Sequence, residues 1–528
     1  MVHDGATILE AAEAAGEPIA AECSGRGACG RCLVTVISGQ VPEYCVQSRD
    51  AGVPLVLACQ APVHGPMTVM PLVESDLPRL TSNDKHVGVA PTQVFAPWPI
   101  ALDPIVAATD ESDLGVAVDI GTTTMQLLLV RLASGTVAGQ ASRYNPQIPR
   151  GADVISRIVA AERGHLGELA SSVRDAVSEM IVEAATHAAV NPDCIVAYVV
   201  AGNLTMIHLL LGIDPSGIRH VPSRPSALEF PPVSARNLSW PGGAAPVFTI
   251  PAAGGWVGGD IVAGLSRAGF PRNVAGHSLY VDLGTNGEVA LGGSDFALAC
   301  ACSAGPAFEG GGIRSGMRAD QGAVDGARFD LEHGSLELSV IGGGSARGLC
   351  GSGLISLCET LLRAGLIDRA GRFTDRLPAA LRVDGQWGIG IAIDRQTNVT
   401  LWERDLASLI RAKGAIFAGI RSLYGALGEG AGGIERVIVS GNFGRFLNLP
   451  AAIGIGLLPE LLPGRFGYVG NGALEGAALA LLSREFWQQI AQYLARVTYI
   501  DLSELPSYMD EFVGACFLPH TSPERLRL

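Results

Sequence analysis

The chain has 528 residues, enough for several domains, and 48% of them are hydrophobic, which is enough to fill large cores. Its formal net charge of −14 argues against nucleic acid as a partner, because binding to phosphate backbones needs a basic surface. No apolar run reaches the length of about eighteen residues that predicts a membrane span, and the N-terminus lacks the basic start of a secretory signal. We therefore expect a globular cytoplasmic protein that binds neither nucleic acid nor membrane.

The first distinctive feature is a cysteine-rich loop, AECSGRGACGRC, over residues 21–32. Cys23, Cys29 and Cys32 follow a C-x5-C-x2-C spacing, and Cys59 comes later, in VPLVLACQ. Eleven cysteines in a cytoplasmic protein of this size do not indicate a disulfide framework. A zinc site usually has a second close pair of ligands, which is missing here, and a redox dithiol would leave Cys23 surplus.

A [2Fe–2S] cluster fits this loop better, because it takes three thiolates from one loop and a fourth from a distant strand. The flanking segments agree, since TILEAAEAAG predicts a short helix capped by Thr7 and RCLVTVISG predicts a strand. The pattern resembles the β-grasp [2Fe–2S] ferredoxins. In these, LACQ is the usual setting of the last ligand, which favours Cys59 over Cys45; zinc remains the alternative metal. The predicted ligands are Cys23, Cys29, Cys32 and Cys59.

The domain boundaries follow from changes in composition. We expect the ferredoxin-like domain to cover residues 1–70, without the first strand that such domains carry before the TILEAA helix. Residues 71–113 are rich in proline and show no sustained helical period, which predicts a linker with extended stretches.

From Leu114 the sequence is rich in glycine and shows an α/β pattern. One short strand–turn–strand motif occurs in it twice. LGVAVDIGTTTMQLLLV and LYVDLGTNGEVALGG each predict an apolar strand, an Asp-x-Gly-Thr turn and a return strand. The two copies lie about 160 residues apart and indicate two similarly folded halves. Glycine allows close backbone approach to phosphate, threonine and asparagine donate hydrogen bonds to it, and aspartate holds Mg²⁺ through water. The residues concerned are Asp119, Gly121, Thr122, Thr123, Asp282, Gly284, Thr285 and Asn286.

Two further segments complete a predicted nucleotide site. ERVIVSGNFG predicts a buried strand and a glycine turn that can pack against a nucleoside, and PAAGGWVGGDIVAGL predicts a glycine run at a helix start. A Walker A site is excluded, since neither Lys85 nor Lys413 stands in a G-K-[ST] context. The order of these segments resembles the actin, Hsp70 and sugar kinase (ASKHA) superfamily, which implies a two-lobed ATPase over residues 114–528. Asp260 is open to phosphate or Mg²⁺ binding and to a simple N-cap role. The candidates are Gly259, Asp260, Gly441, Asn442 and Gly444.

Several motifs have no general meaning for that superfamily, among them YNPQIPRGADVISRI, GPAFEGGGIRSGMRA, GLCGSGLI and GACFLPHT. With the cysteine loop they resemble the reductive activators of corrinoid enzymes, which join an N-terminal [2Fe–2S] domain to an actin-like ATPase domain. The resemblance implies a [2Fe–2S] cluster, ATP and Mg²⁺ as cofactors, with Asp119 and Asp282 as catalytic residues. It implies that the Co(II) corrinoid of a methyltransferase system is returned to Co(I) by one-electron transfer.

The same resemblance implies two partners, a corrinoid protein and an upstream electron donor, and leaves a homodimer open. Two other functions remain compatible with the residues. One is an actin-like kinase with an attached redox sensor, and the other is a nucleotide-gated ferredoxin for another oxidoreductase. ATPase activity that rises with a corrinoid protein would separate them.

Overall fold

The computed structural model describes residues 5–15, 19, 32–50, 53–71, 102–271, 276–385, 387–428, 432–441 and 447–528. These residues form a small N-terminal part and two larger lobes, and each lobe is built on a six-stranded sheet. Within these ranges, no helix combines the length and the apolar character that a bilayer crossing requires.

The N-terminal part is a four-stranded antiparallel sheet with one helix. Its elements are α1 (Ile8–Ala14), β1 (Leu33–Ser38), β2 (Val46–Asp50), β3 (Val53–Leu57) and β4 (Thr68–Pro71). The strand order is β2-β3-β1-β4, and no described strand precedes α1. The helix begins with the predicted cap: the Glu10 backbone N–H donates to Thr7 Oγ1 (3.2 Å), and the Thr7 backbone N–H donates to the Glu10 carboxylate (2.8 Å).

The first lobe covers the described residues from 114 to 271. Its sheet has the order β7-β6-β5-β8-β10-β9. Its strands are β5 (Leu114–Ile120), β6 (Thr124–Arg131), β7 (Val137–Tyr144), β8 (Ile195–Gly202), β9 (Val233–Ser234) and β10 (Pro246–Thr249). Its helices are α2 (Val154–Ala160), α3 (Leu166–His187), α4 (Leu204–Leu211) and α5 (Gly259–Arg267).

The second lobe covers the described residues from 276 to 528. Its main sheet contains β11 (His277–Leu283), β12 (Gly287–Gly292), β13 (Ala297–Cys302), β20 (Ile434–Ser440), β21 (Phe466–Tyr468) and β22 (Val497–Tyr499). Two three-stranded sheets contain β14 (Ala323–Asp330), β15 (Ser335–Val340), β16 (Gly348–Leu349), β17 (Arg382–Gly385), β18 (Gly388–Asp394) and β19 (Val399–Trp402). The helices are α6 (Gly351–Arg363), α7 (Glu403–Ala426), α8 (Leu449–Gly454), α9 (Gly472–Leu482), α10 (Arg484–Leu494) and α11 (Tyr508–Ala515).

The two large sheets repeat one strand arrangement. Each has three consecutive antiparallel strands, β5-β6-β7 in the first lobe and β11-β12-β13 in the second. Each continues on the other side of its first strand with two parallel strands, β8 and β10 in one lobe, β20 and β21 in the other. The prediction of two similar halves is therefore confirmed, and the Asp-x-Gly-Thr turns are the tips of equivalent hairpins.

Strand β5 lies between two hydrophobic cores, which explains its continuous apolar sequence. Val116 and Val118 face a core that includes α3, while Ala117 faces a core that includes α5 and α9. Helix α9 comes from the second lobe in sequence and packs against β5, β8 and α5 of the first. At the crossing with α5, a Cβ on Gly476 would lie 2.4 Å from the Ala263 carbonyl oxygen, so only glycine allows this approach. The lobes therefore share an apolar helix contact.

The long helix α3 and four cysteines contribute to the cores of these lobes. The apolar face of α3 is buried from Leu169 to Ala184. The buried cysteines are Cys300, Cys302, Cys350 and Cys358.

The end of the predicted linker lies against the second lobe. The backbone N–H groups of Asp103 and Ile105 donate to the carbonyls of Leu482 and Leu481 (3.0 Å each) at the end of α9. Residues 72–101 lie outside the described residues. The boundaries at 70 and 113 stay predictions.

A buried lysine fixes the C-terminal segment. Lys413, in the middle of α7, is 0% exposed, and its Nζ donates to the carbonyls of Phe517 (2.8 Å) and Pro519 (2.6 Å). Arg369 donates to the intervening Leu518 carbonyl (3.1 Å) and to that of His520. Burial lowers the pKa of Lys413 to about 7. The motif GACFLPHT is thus held through its backbone carbonyls.

We expect Lys413→Ala to destabilise the second lobe by about 2–4 kcal/mol, because it leaves two buried carbonyls without their donor and opens a cavity. Urea unfolding followed by tryptophan fluorescence measures this, since Trp387 and Trp402 lie in the same lobe. Arg363→Ala is the control, because that side chain is 70% exposed and lies 3.6 Å from the Glu359 carboxylate. If Lys413→Ala lowers the free energy of unfolding no more than Arg363→Ala does, Lys413 does not stabilise the C-terminal segment in this way.

Candidate iron–sulfur and nucleotide sites

Two of the predicted cluster ligands come together at the ends of neighbouring strands. Cys32 directly precedes β1 and Cys59 follows β3 closely, and these strands pair with Leu33 opposite Leu57. The two sulfurs lie 3.3 Å apart and are buried. The Sγ of Cys45 instead lies 3.4 Å from the Gln60 carbonyl oxygen. The pair at 32 and 59 fits a shared metal centre better than Cys45 does.

The other two predicted ligands, Cys23 and Cys29, lie outside the described residues. Among the residues that the structure does describe, no group of three metal-binding side chains stands together. The full ligand set therefore stays a prediction.

The first hairpin tip carries Asp119 and the threonines in a tight turn. The Gly121 N–H donates to the Thr124 carbonyl (3.0 Å), and a Cβ on Gly121 would lie 2.5 Å from that oxygen, so the turn requires glycine. Asp119 stands at the end of β5, where Asn471 Nδ2 donates to its Oδ2 (2.7 Å). Asn471 also caps α9 by accepting from the Leu474 N–H (2.9 Å). The carboxylate is thus held by the helix that joins the two lobes.

The second hairpin tip faces the first. Asp282, near the end of β11, accepts a hydrogen bond from the Tyr280 hydroxyl (3.3 Å). Thr285 Oγ1 donates to the Glu309 carboxylate (2.7 Å) and lies 2.8 Å from Thr123 Oγ1 of the first hairpin. The two predicted phosphate-binding turns therefore meet directly through their hydroxyl groups.

The predicted nucleoside turn begins where β20 ends. Gly441 has φ +100°, and a Cβ there would lie 2.7 Å from the Leu283 carbonyl oxygen, so glycine is required beside the second hairpin. Asn442 and Gly444 lie outside the described residues. A Cβ on Gly259 would lie 2.2 Å from the Ile250 carbonyl oxygen, which makes this glycine a packing requirement of α5.

Several carboxylates are buried together between the hairpins. Burial is the main cause that raises the pKa of Asp119 and of Asp260 to about 7, and it also raises the pKa of Asp282. Mutual repulsion adds to these shifts, since Asp119 interacts with Asp282 and Asp260 with both. Asp260 does not cap its own helix, because Gly258 occupies the N-cap position and Asp260 accepts from the Ile261 N–H (2.9 Å). The described residues contain no group of three such side chains placed to hold a metal ion, so a part for these carboxylates in Mg²⁺ binding stays a prediction.

Sequence reasoning missed Glu288, which belongs to the same group. It pairs directly with Asp282 in the β11–β12 ladder and is 5% exposed. Burial, followed by repulsion from Asp260 and Asp282, raises its pKa well above the usual range. Within the described residues, only its own backbone N–H donates to its carboxylate. The pairing register of the predicted hairpin could have revealed it.

The motif YNPQIPRGADVISRI also proves to serve the first hairpin. Asn145 Nδ2 donates to the Gly121 carbonyl (2.8 Å), and the buried Arg157 donates to the Thr122 carbonyl (2.5 Å). Asn203, at the start of α4, donates to Thr122 Oγ1 (3.1 Å). The motif therefore fixes the turn from within its own lobe.

Comparison with known proteins agrees with this architecture. Residues 276–527 match the C-terminal ASKHA domain of RACo, residues 114–273 match the RACo middle region, and residues 1–64 match the 2Fe-2S iron-sulfur cluster binding domain. The chain is 32% identical over 419 residues to the corrinoid activation enzyme RamQ of Eubacterium limosum, which covers 76% of this chain and 69% of that protein. The chain belongs to the RACo family of corrinoid activators.

A solved structure supports the same assignment. The reductive activator for corrinoid, iron-sulfur protein matches with a TM-score of 0.75 and 33% identity, covering 99% of this chain and 97% of that one. The [Co(II) methylated amine-specific corrinoid protein] reductase of Methanosarcina barkeri is 27% identical over 243 residues, 42% of each chain. The predicted fold class is thereby confirmed, with a [2Fe–2S] domain joined to an ASKHA ATPase domain. The cofactors of these domains are a [2Fe–2S] cluster and ATP with Mg²⁺.

We expect Cys32→Ser and Cys59→Ser each to lose the cluster, because each removes one thiolate of the predicted set. Cys45→Ser is the matched control and keeps it, since its sulfur lies beside a backbone carbonyl. Iron per chain after anaerobic reconstitution and the EPR signal of the reduced protein measure the result. Retention of iron in Cys59→Ser together with its loss in Cys45→Ser would reverse the assignment.

We expect Glu288→Gln to weaken the Mg²⁺-dependent part of ATP binding about tenfold, because glutamine keeps the shape of the side chain but has no proton to lose when a cation binds. Calorimetry with ATP at several Mg²⁺ concentrations measures it. Glu337→Gln is the control, since Glu337 lies 2.6 Å from Arg328 on an exposed hairpin. If the Mg²⁺ dependence is unchanged in Glu288→Gln, this residue has no part in cation binding.

Proposed function

We propose that this protein is an ATP-dependent reductive activator that returns the Co(II) corrinoid of a methyltransferase system to Co(I). The single observation that carries the proposal is the presence, in one chain, of a [2Fe–2S] domain and an ATPase cleft with facing hairpins. The relatives reported above are named for activating or reducing corrinoid proteins. The cluster ligands are Cys23, Cys29, Cys32 and Cys59 in this proposal.

The energetics explain why both parts are needed. When bound, the cluster supplies electrons one at a time. Forming Co(I) is uphill from a ferredoxin, and each ~59 mV of a one-electron gap costs a factor of ten in the equilibrium constant. The ATPase domain must therefore bias the transfer. In this proposal Asp119 and Asp282 would hold the Mg²⁺ of ATP, and the threonine hydroxyls and the turn backbones would bind its phosphates.

The contact between the hairpins supplies a basis for two states. Thr123 Oγ1 and Thr285 Oγ1 lie 2.8 Å apart, so a phosphate group has no room between them. Nucleotide binding in that space must separate the tips and with them the lobes. A difference in lobe position can change the affinity for the corrinoid partner, which is how ATP can act on a distant electron transfer.

The proposal includes an upstream electron donor, because the cluster must be reduced again after each transfer. It places the protein in the cytoplasm, where thiols stay reduced. Size-exclusion chromatography tests the homodimer that the family resemblance leaves open.

We expect the reduced protein with ATP to convert a partner's Co(II) to Co(I), which visible spectroscopy detects. Cys29→Ser should fail because it lacks the cluster that delivers electrons, and Asp282→Ala should fail because ATP is no longer coupled. The iron content of Asp282→Ala should equal that of the wild type, which separates the two defects. Equal reduction with and without nucleotide would exclude ATP coupling and favour a nucleotide-gated ferredoxin or a kinase.

A further inference from the structure

Backbone hydrogen bonds hold the segment that carries one arginine of the second lobe, Arg318, beside the cleft. Arg318 follows Met317, whose backbone N–H donates to the Leu349 carbonyl (2.9 Å), and the Leu349 N–H donates to the Ser315 carbonyl (2.7 Å). These bonds form a parallel bridge between Gly316 and Leu349, directly before α6. The backbone that carries Arg318 is therefore fixed within its own lobe.

The side chain of Arg318 crosses to the first lobe. Its Nη2 donates to Thr124 Oγ1 (2.5 Å), and its Cζ lies 3.7 Å from the ring centroid of Tyr144. Thr124 and Tyr144 are direct partners in the β6–β7 ladder, and the Thr124 carbonyl closes the first phosphate-binding turn. The guanidinium thus contacts the start of β6, directly beside the turn of the first hairpin.

Arg318 keeps most of its hydrogen-bonding capacity. The other arginine at this hairpin, Arg157, already donates to the carbonyls of Gly151 and Thr122 and to the Gln147 side chain. In the described part of the chain, Arg318 donates a single hydrogen bond, to Thr124, so most N–H donors of its guanidinium remain for a ligand. A planar guanidinium with open donors matches phosphate oxygens.

The position of the cleft elements indicates which phosphate lies near Arg318. The nucleoside turn at Gly441 packs against Leu283, at the second hairpin. A phosphate chain that starts there and runs to the first hairpin brings its far end to the hairpin on which Arg318 rests. The end farthest from the nucleoside is the terminal phosphate.

We propose that Arg318 binds the terminal phosphate of a nucleoside triphosphate and thereby distinguishes ATP from ADP. This inference rests on the proposed ATPase function of the cleft. Arg318 belongs to the second lobe and contacts the first. Its bond to the terminal phosphate therefore makes the contact between the lobes depend on whether that phosphate is present. Among the described residues, loss of that phosphate leaves the guanidinium with Thr124, Tyr144 and the nearby Asp320 carboxylate.

The test is calorimetry of Arg318→Ala and Arg318→Lys with a non-hydrolysable ATP analogue and with ADP, both with Mg²⁺. We expect Arg318→Ala to weaken the binding of the triphosphate analogue by about ten- to a hundredfold, which is the range for losing charge-assisted hydrogen bonds. The affinity for ADP should change by less than about threefold. Arg318→Lys should fall between, because it keeps the charge without the planar fork.

The matched control is Arg314→Ala, which removes the same charge from the same segment. The Arg314 guanidinium stacks on Trp387, 4.6 Å from the centroid of its ring. Arg314→Ala should therefore leave the ratio of the affinities for the ATP analogue and for ADP unchanged. Iron content and thermal midpoint verify that each variant is folded. If Arg318→Ala does not fold, Arg318→Lys and Arg318→Gln carry the test.

Equal weakening of both nucleotides, or of neither, in the Arg318 variants would overturn the inference. In that case the proposed function stands as long as the wild type binds ATP and needs it for Co(II) reduction. A wild type that binds neither nucleotide would instead refute the nucleotide site and the inference with it.

Discussion

The structure depends on the burial of several carboxylates beside the two hairpin tips. In the described residues, burial raises the pKa of Asp119, Asp260, Asp282 and Glu288, and Asp282 repels each of the other three. Burying carboxylates together is unfavourable unless donors, protons or a cation offset their repulsion. The amide of Asn471 and the hydroxyl of Tyr280 offset part of it, and the backbone N–H of Glu288 donates to its own carboxylate. The proposed function assigns the rest of this compensation to the Mg²⁺ that arrives with ATP.

Two kinds of contact join the lobes, and they differ in how easily they can be exchanged. Helix α9 is buried against β5, β8 and α5 by apolar packing, which persists as long as the protein is folded. Thr123–Thr285 and Arg318–Thr124 are single hydrogen bonds between partly buried groups, and water or phosphate can replace either partner. The first contact fits a hinge, and the second pair fits the side of the cleft that opens. Lobe movement of this kind is a common way to couple a ligand to a distant event.

The sequence allowed the hairpins, the duplicated lobes and the capped first helix to be predicted, because each has a signature within about twenty residues. Asp119 and Asp282 were placed at the hairpin tips for the same reason, and their catalytic role stays a prediction. Asn471 and Arg318 could not be found in this way, since their partners lie 352 and 194 positions away and no local pattern encodes such a distance. Glu288 lies between these cases: its role follows from the register of a hairpin that was itself predicted.

The anchoring of the C-terminal segment has a consequence for the order of events during synthesis. Lys413 and Arg369 donate to carbonyls of residues 517–520, which are synthesised more than a hundred residues later. The Leu528 carbonyl likewise accepts from the Ile434 N–H beside the central sheet. In the part of the chain that the structure describes, the core of the N-terminal part contains no residue beyond β4, which ends at Pro71. At roughly 5–20 residues per second, the ribosome separates these two points by about 20 to 90 s. The [2Fe–2S] domain can therefore acquire its metal on a nascent chain whose ATPase cleft does not yet exist.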